Sequence, residues 1–243
     1  MVYLLIPVFN EEGNIANLHS ELKGILPNES CFFVFSDDGS SDRSLSLINE
    51  HFVDFKYIIL GDGVNRGPGY AFNTGFNWIL ENSKSDDDVI ATLECDCTSD
   101  LKILPHMIGI NRMGYEIVLA SVYAQGGGFD NTSFTRRLIS SVANLLYRFL
   151  FKLNVQTLSS FYRVYSISLL KRIKLKYSEP ITEYGFICML EILLKSIRCN
   201  AKLIEVPMLL QSNKRVGKSK MKVFKTSMQY FRFLITFKEK SKS

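Results

Sequence analysis

The chain has 243 residues, 47% of them hydrophobic and 22% charged, with a formal net charge of +5. That length supports one sizeable core rather than two equal domains, and the composition excludes disorder and fibrous repeats. The charge is uneven: residues 214–243 hold ten Lys or Arg and one acid, Glu239, so a basic tail on an acidic body points to an anionic partner, either phosphates or a membrane surface.

In chain order, residues 2–8, 31–36, 55–60, 89–93 and 117–121 are apolar and β-branched or aromatic, and each reads as a buried strand. Between them, 15–26, 45–52, 70–80 and 101–111 have helical spacing. This alternation predicts an α/β domain with a mostly parallel mixed sheet and helices on both faces. Ligands of such sheets bind beyond the carboxyl ends of the strands. Four polar clusters fall there: Asn10-Glu11-Glu12, Asp37-Asp38-Gly39-Ser40, Asn65-Arg66-Gly67 and Glu94-Cys95-Asp96. Further on, Gly126-Gly127-Gly128 opens a loop expected to be mobile through residue 133 and to close over a ligand. Helices over 134–153 and 186–197, a strand over 202–210 and a basic amphipathic helix from 221 complete the expected elements.

No segment is apolar enough to span a membrane: Arg148 and Lys152 interrupt one candidate, Lys225 and Arg232 the other. The first residues lack the basic leader of a signal peptide, so a cytoplasmic protein is expected. The five cysteines have no zinc-ligand spacing, which suits reduced thiols, with Cys95-x-Cys97 a lesser candidate for a soft metal. No helix-turn-helix or basic aromatic sheet pattern is present, so no nucleic-acid partner is expected.

Glu94 and Asp96, two apart on extended chain, project to the same side and suit a hard divalent cation, or else are solvated loop acids. Asp37 and Asp38 precede a helix entry that Ser41 or Asp42 can cap, which leaves a second acid for a ligand. The turn at 65–70 lacks the features of a P-loop or a dinucleotide fingerprint; its glycines permit close approach of backbone to a ligand or to another helix. Arg215-Val216-Gly217-Lys218-Ser219-Lys220 is either a diphosphate-neutralising loop or an exposed basic turn.

These segments together resemble glycosyltransferase family 2, and within it the polyprenyl (dolichyl) phosphate sugar transferases. The resemblance rests on Ile6-Pro7-Val8-Phe9-Asn10-Glu11, Asp37-Asp38-Gly39-Ser40-Ser41-Asp42, Asn65-Arg66-Gly67 and Glu94-Cys95-Asp96. It continues through Arg136-Arg137-Leu138-Ile139-Ser140, Ser159-Ser160-Phe161-Tyr162-Arg163, Glu205-Val206-Pro207 and Arg215-x-Gly217-x-Ser219-Lys220.

The resemblance implies a GT-A-like, Rossmann-like domain over residues 1–220, with 1–123 the nucleotide-sugar half and 124–220 the acceptor side. Residues 221–243 are then a basic amphipathic helix and tail. It implies an inverting transfer from a GDP- or UDP-sugar to a lipid phosphate, with Mg2+ or Mn2+ held by Glu94 and Asp96. Pro7, Phe9, Glu11 and Asp38 would hold the nucleoside, with Cys95 and Thr98 nearby in the donor site. Arg215 and Lys220 would act with Asp96 at the reacting diphosphate, and Arg136 and Ser140 would hold the acceptor phosphate. The enzyme would sit peripherally at the cytoplasmic face, on an anionic membrane surface or a membrane partner protein. Glu94, where the family usually has Asp, and Val122, where it usually has Arg, keep two alternatives open. One is transfer to a glycan hydroxyl with Glu183 as base; the other is a catalytically weakened partner subunit.

Overall fold

A computed structural model of the chain describes residues 1–25, 30–130 and 153–217, with positions 145, 148, 149 and 233. The first half is a run of β-α units: β1 (Val2–Val8), α1 (Ile15–Lys23), β2 (Cys31–Asp37), α2 (Ser44–His51), β3 (Lys56–Leu60), α3 (Pro68–Asn82) and β4 (Val89–Thr92). After a 3-10 turn at Leu101–Ile103 come α4 (Leu104–Arg112), β5 (Ile117–Ser121) and the short β6 (Gly128–Asp130). Then follow β7 (Arg163–Ser166), α5 (Ile167–Tyr177), α6 (Cys188–Arg198), β8 (Leu203–Pro207) and β9 (Leu209–Gln211).

The main sheet has the order β3-β2-β1-β4-β7-β5-β8. Strands β1 to β4 are parallel, β7 runs antiparallel to both β4 and β5, and β8 is parallel to β5. Strands β1, β4 and β5, inside the sheet, are apolar on both sides because both faces are covered. Leu5 packs in a cluster with Phe72 and Phe76 of α3 and with residues of α5 and α6. Its neighbour Leu4 packs on the opposite face with Ile15 and Leu18 of α1, Ile48 of α2 and Leu104 and Met107 of α4. Strand order reverses between β1 and β4, which opens a crevice beyond their carboxyl ends.

Several boundaries and elements differ from the sequence reading. Strand β7 and helix α5 were not expected, because Arg163 breaks the apolar run of the strand and four cations crowd the helix. Arg163 is nevertheless fully buried: its guanidinium donates to the carbonyls of Leu158 and Met189, both at 2.8 Å. The expected strand over 202–210 is two strands. It leaves the main sheet after Pro207, and β9 pairs with β6 in a separate two-stranded sheet. The loop expected to be mobile is therefore structured as far as Asp130, with Gly128 N donating to Met208 O at 3.0 Å. Residues 131–133 and the expected helices over 134–153 and from 221 lie outside the described residues.

Helices α1 and α2 meet through aromatic rings, with His19 lying 5.2 Å from Phe52, 5.7 Å from Phe55 and 5.9 Å from His51, centroid to centroid. Desolvation, helped by the charges of Lys23 and His51, holds the His19 imidazole below its ordinary value near 6.5. The unfolded chain then binds this proton more readily, so the stabilisation is complete above that value and is lost as pH falls below it. The Tm is expected to fall between pH 7.5 and pH 5.5, and less steeply in His19→Gln. Equal slopes in both proteins would show that another group carries the acid sensitivity.

Candidate active site

The loops after β1 and β2 are zipped together by side chains bonding to backbone. Asn10, with φ of 53°, donates its N–H to Ser40 Oγ at 3.0 Å, and its Oδ1 accepts from Ser41 N at 2.8 Å. Glu11 N donates to Ser44 Oγ at 2.7 Å, and Glu12 N to Asp42 Oδ2 at 3.1 Å. Asp42 also accepts from Ser44 N at 2.9 Å, the helix-entry role expected of it. These bonds hold Pro7, Phe9 and Glu11 at the rim of the crevice, all partly exposed.

Both acids of the Asp37-Asp38 pair bond to backbone amides. Asp37 accepts from the amides of Gly39 and Ser40, both at 3.1 Å, and closes the turn. Asp38 is 4% exposed and accepts from Arg66 N at 2.7 Å and Gly67 N at 2.9 Å. Burial pushes its carboxyl above the ordinary value, and the two amides oppose that. Its first task is to clamp the loop after β3.

That loop also settles what its glycines are for. A Cβ on Gly67 would lie 2.5 Å from Tyr184 O, and one on Gly69 would lie 1.9 Å from Glu183 O. Gly69 N donates to Tyr184 O at 2.8 Å. The close approach is to another stretch of backbone, residues 183–185. Buried Glu191 fixes that stretch in turn, accepting from Thr182 N at 3.0 Å and Glu183 N at 2.8 Å. An acid inside the apolar run of α6 is the signal that could have revealed this anchor.

Beyond β4 the chain turns at residues 95–97, with Cys97 at a φ of 57°. Glu94 is partly exposed and Asp96 4% exposed, while Cys95 and Cys97, 4% and 3% exposed, belong to the core under α1 and α4. The Cys95 side chain, expected near the donor, lies in this core cluster. Burial pushes the Cys97 thiol up to about 12. Asp96 Oδ1 accepts from Thr98 N at 3.0 Å and Thr98 Oγ1 at 2.8 Å, while Oδ2 is bonded by the Arg215 guanidinium. Glu94 Oε2 accepts from Ser99 Oγ at 3.2 Å. Among the described residues no group of three or more His, Cys, Asp or Glu is gathered. Glu94, Asp96 and the Thr98 hydroxyl offer only oxygen donors, the chemistry that a hard cation takes. Asp96 is occupied by its ion pair with Arg215.

The stretch before β7 is braced from β8. Glu205 accepts from Gln156 N and Thr157 N, both at 2.8 Å, and Thr157 Oγ1 lies 2.6 Å from Ser121 Oγ at the end of β5. Phe161 fills core space, 5.1 Å from Phe72 and 5.8 Å from Phe186 between ring centroids. Arg136, Ser140 and Lys220 lie outside the described residues. The structure bonds Asp96 to Thr98 and Arg215, and Glu11 to Asn14, which in turn holds Val216. Sequence reasoning missed Asn14 and Glu191, and singled out Glu205 without its contacts to Gln156 N and Thr157 N.

Residues 3–174 match the model of glycosyl transferase family 2. The chain is 24% identical to the polyprenol monophosphomannose synthase of Mycolicibacterium smegmatis, over 90% of this chain and 80% of that protein. It is 27% identical to the dolichol-phosphate mannosyltransferase of Pyrococcus furiosus, over 96% of this chain and 62% of that protein. The fold is similar to that of glucosyl-3-phosphoglycerate synthase from Mycobacterium tuberculosis, solved in complex with Mn2+ and UDP-glucose. The TM-score is 0.68 at 15% identity, covering 97% of this chain and 78% of that one.

Proposed function

The chain belongs to glycosyl transferase family 2, and we propose that it is an inverting, metal-dependent enzyme that moves a sugar from a GDP- or UDP-sugar to a polyprenyl or dolichyl phosphate. The observation that carries this reading is Asp96, buried at the β4 end and paired with Arg215 beside the β1 loop. The lipid-phosphate names of its relatives support the acceptor class.

In this reading Pro7, Phe9, Glu11 and Asp38 hold the nucleoside, and Arg136 and Ser140 the acceptor phosphate. Glu94 and Asp96, with Thr98 beside them, hold Mg2+ or Mn2+, which when bound offsets charge on the leaving diphosphate. A phosphate oxygen of the acceptor attacks the anomeric carbon. The bond from that carbon to the diphosphate oxygen breaks, and the nucleoside diphosphate leaves with the electron pair. A phosphate monoester is already ionised near neutral pH, so the attack needs no general base. Arg215 and Lys220 stabilise the departing charge through charge-assisted hydrogen bonds. The basic segment 221–243 rests on an anionic membrane surface or a membrane partner at the cytoplasmic face. Among the described residues no helix is long and apolar enough to cross a membrane.

One observation favours a second acceptor. The backbone of Glu183 is fixed against the loop after β3, where a carboxylate could serve as base toward a glycan hydroxyl. The test is transfer by the full chain from labelled GDP- and UDP-sugars with Mn2+ or Mg2+. The acceptors are a polyprenyl phosphate in anionic vesicles and soluble oligosaccharides. Label in the lipid fraction supports the proposal, and label only in oligosaccharide favours the second reading. No transfer and no donor hydrolysis favours a weakened partner subunit.

A further inference from the structure

After β9 the chain returns across the strand ends and docks on the start of α1. Asn14 is 2% exposed. Its Oδ1 accepts from Val216 N at 3.0 Å and its Nδ2 donates to Val216 O at 3.3 Å, so one side chain meets both backbone polar groups of a residue 202 positions away. The same Nδ2 donates to Glu11 Oε2 at 2.5 Å. An Asn just before a helix is expected to cap it, yet α1 has no side-chain cap bond from Asn14. The carboxamide faces the distant loop instead. Two more contacts hold that loop: Lys214 Nζ lies 2.7 Å from Glu21 Oε1, and Arg215 pairs with Asp96. The side chain of Val216 also sits over Gly13, where a Cβ would come within 2.9 Å of it.

We propose that Asn14 is a positioning residue that fastens the 214–217 loop across the crevice and so keeps Arg215 over the end of β4. The fasteners are of two kinds. The Arg215–Asp96 pair competes with any cation that takes Asp96, whereas the Asn14–Val216 clasp and the Lys214–Glu21 pair do not. When a divalent cation binds at Asp96, the guanidinium is released from the carboxylate but the loop stays in place, with Arg215 within reach of the donor diphosphate. That last step rests on the proposed function; the clasp itself does not. Because Nδ2 also bonds Glu11, the clasp joins the nucleoside rim of the crevice to its diphosphate rim.

Two variants test this in the full chain. Asn14→Leu keeps side-chain size and removes the hydrogen bonds. Val216→Pro removes the loop N–H and alters the side chain over Gly13 but leaves Asn14 in place, and Arg215 already has the extended backbone, φ −65° and ψ 126°, that a residue before proline prefers. Hydrogen exchange over residues 212–217 without ligand is expected to quicken about tenfold in both variants, the effect of losing one or two hydrogen bonds. The donor KM with Mn2+ is expected to rise while exchange in β1 and β4 stays at wild-type rates. Wild-type loop exchange in Val216→Pro would overturn the proposal, as would an Asn14→Leu variant that loses Tm without loosening the loop. If the loop loosens in both variants but even the wild type binds no nucleoside diphosphate with Mn2+, the clasp stands and the donor reading fails.

Discussion

Asp96→Asn is expected to lower sugar transfer on the order of a thousandfold, the scale of losing a metal ligand and its charge stabilisation. The substitution keeps side-chain size, and its carbonyl oxygen can still accept from Thr98 N, so the turn after β4 survives. What is lost is the negative charge that faces Arg215 and would hold the cation. Calorimetric titration of nucleoside diphosphate with Mn2+ separates this from misfolding: affinity is expected to collapse while Tm changes little. Unchanged affinity would remove Asp96 from the metal site. Glu94→Asp, which restores the shorter carboxylate usual in the family, is expected to keep or raise affinity.

The largest stability effect is expected at Glu191. Glu191 and Lys195 form an ion pair at 2.7 Å with side chains 2% and 5% exposed, one turn apart on α6. Lys195 also donates to Glu179 O at 2.9 Å and Pro180 O at 3.2 Å. Glu191→Ala strands a buried ammonium and removes the acceptor for Thr182 N and Glu183 N, a loss of about 3–5 kcal/mol. For a chain of this size that lowers Tm by roughly 10 °C. Adding Lys195→Met is expected to recover part of it, because the uncompensated charge goes with the lysine. A single variant melting within a degree or two of wild type would show that water reaches the pair. Since residues 183–185 pack against Gly67 and Gly69, Glu191→Ala is also expected to loosen the loop that Asp38 clamps.

What could be read from the sequence was whatever local chemistry alone decides. The apolar, β-branched runs gave β1 and β5 to the residue, because strands covered on both faces carry an unmixed pattern. The Glu94-x-Asp96 pair was legible as two acids just past a strand end, but not in its conformation: the chain turns at residues 95–97 instead of staying extended. Features set by distant partners were hidden. Strand β7 was obscured by Arg163, whose burial is tolerable only because the Leu158 and Met189 carbonyls receive its guanidinium. The change of sheet at Pro207 depends on β6, three residues with no signal of their own. The glycines of the 65–70 turn suggested a ligand or a helix, and their neighbour is a loop more than a hundred residues on. Asn14 carries a helix-cap signature and serves a different purpose.

The antiparallel β7 has a consequence for how the chain is made. Every strand from β1 to β4 has at least one sheet neighbour already synthesised or soon to follow, whereas among the described residues β5 pairs with β7 and β8 alone, both of which come later. All five residues of β5 are buried in the finished sheet. As the chain leaves the ribosome, β5 is therefore an apolar strand with two open edges until Arg163–Ser166 has emerged to bridge it to β4. Exposed edges of this kind recruit foreign strands. The interval between β5 and β7 is the period in which a nascent chain most needs a chaperone, and β7 ends it by joining the two halves of the sheet.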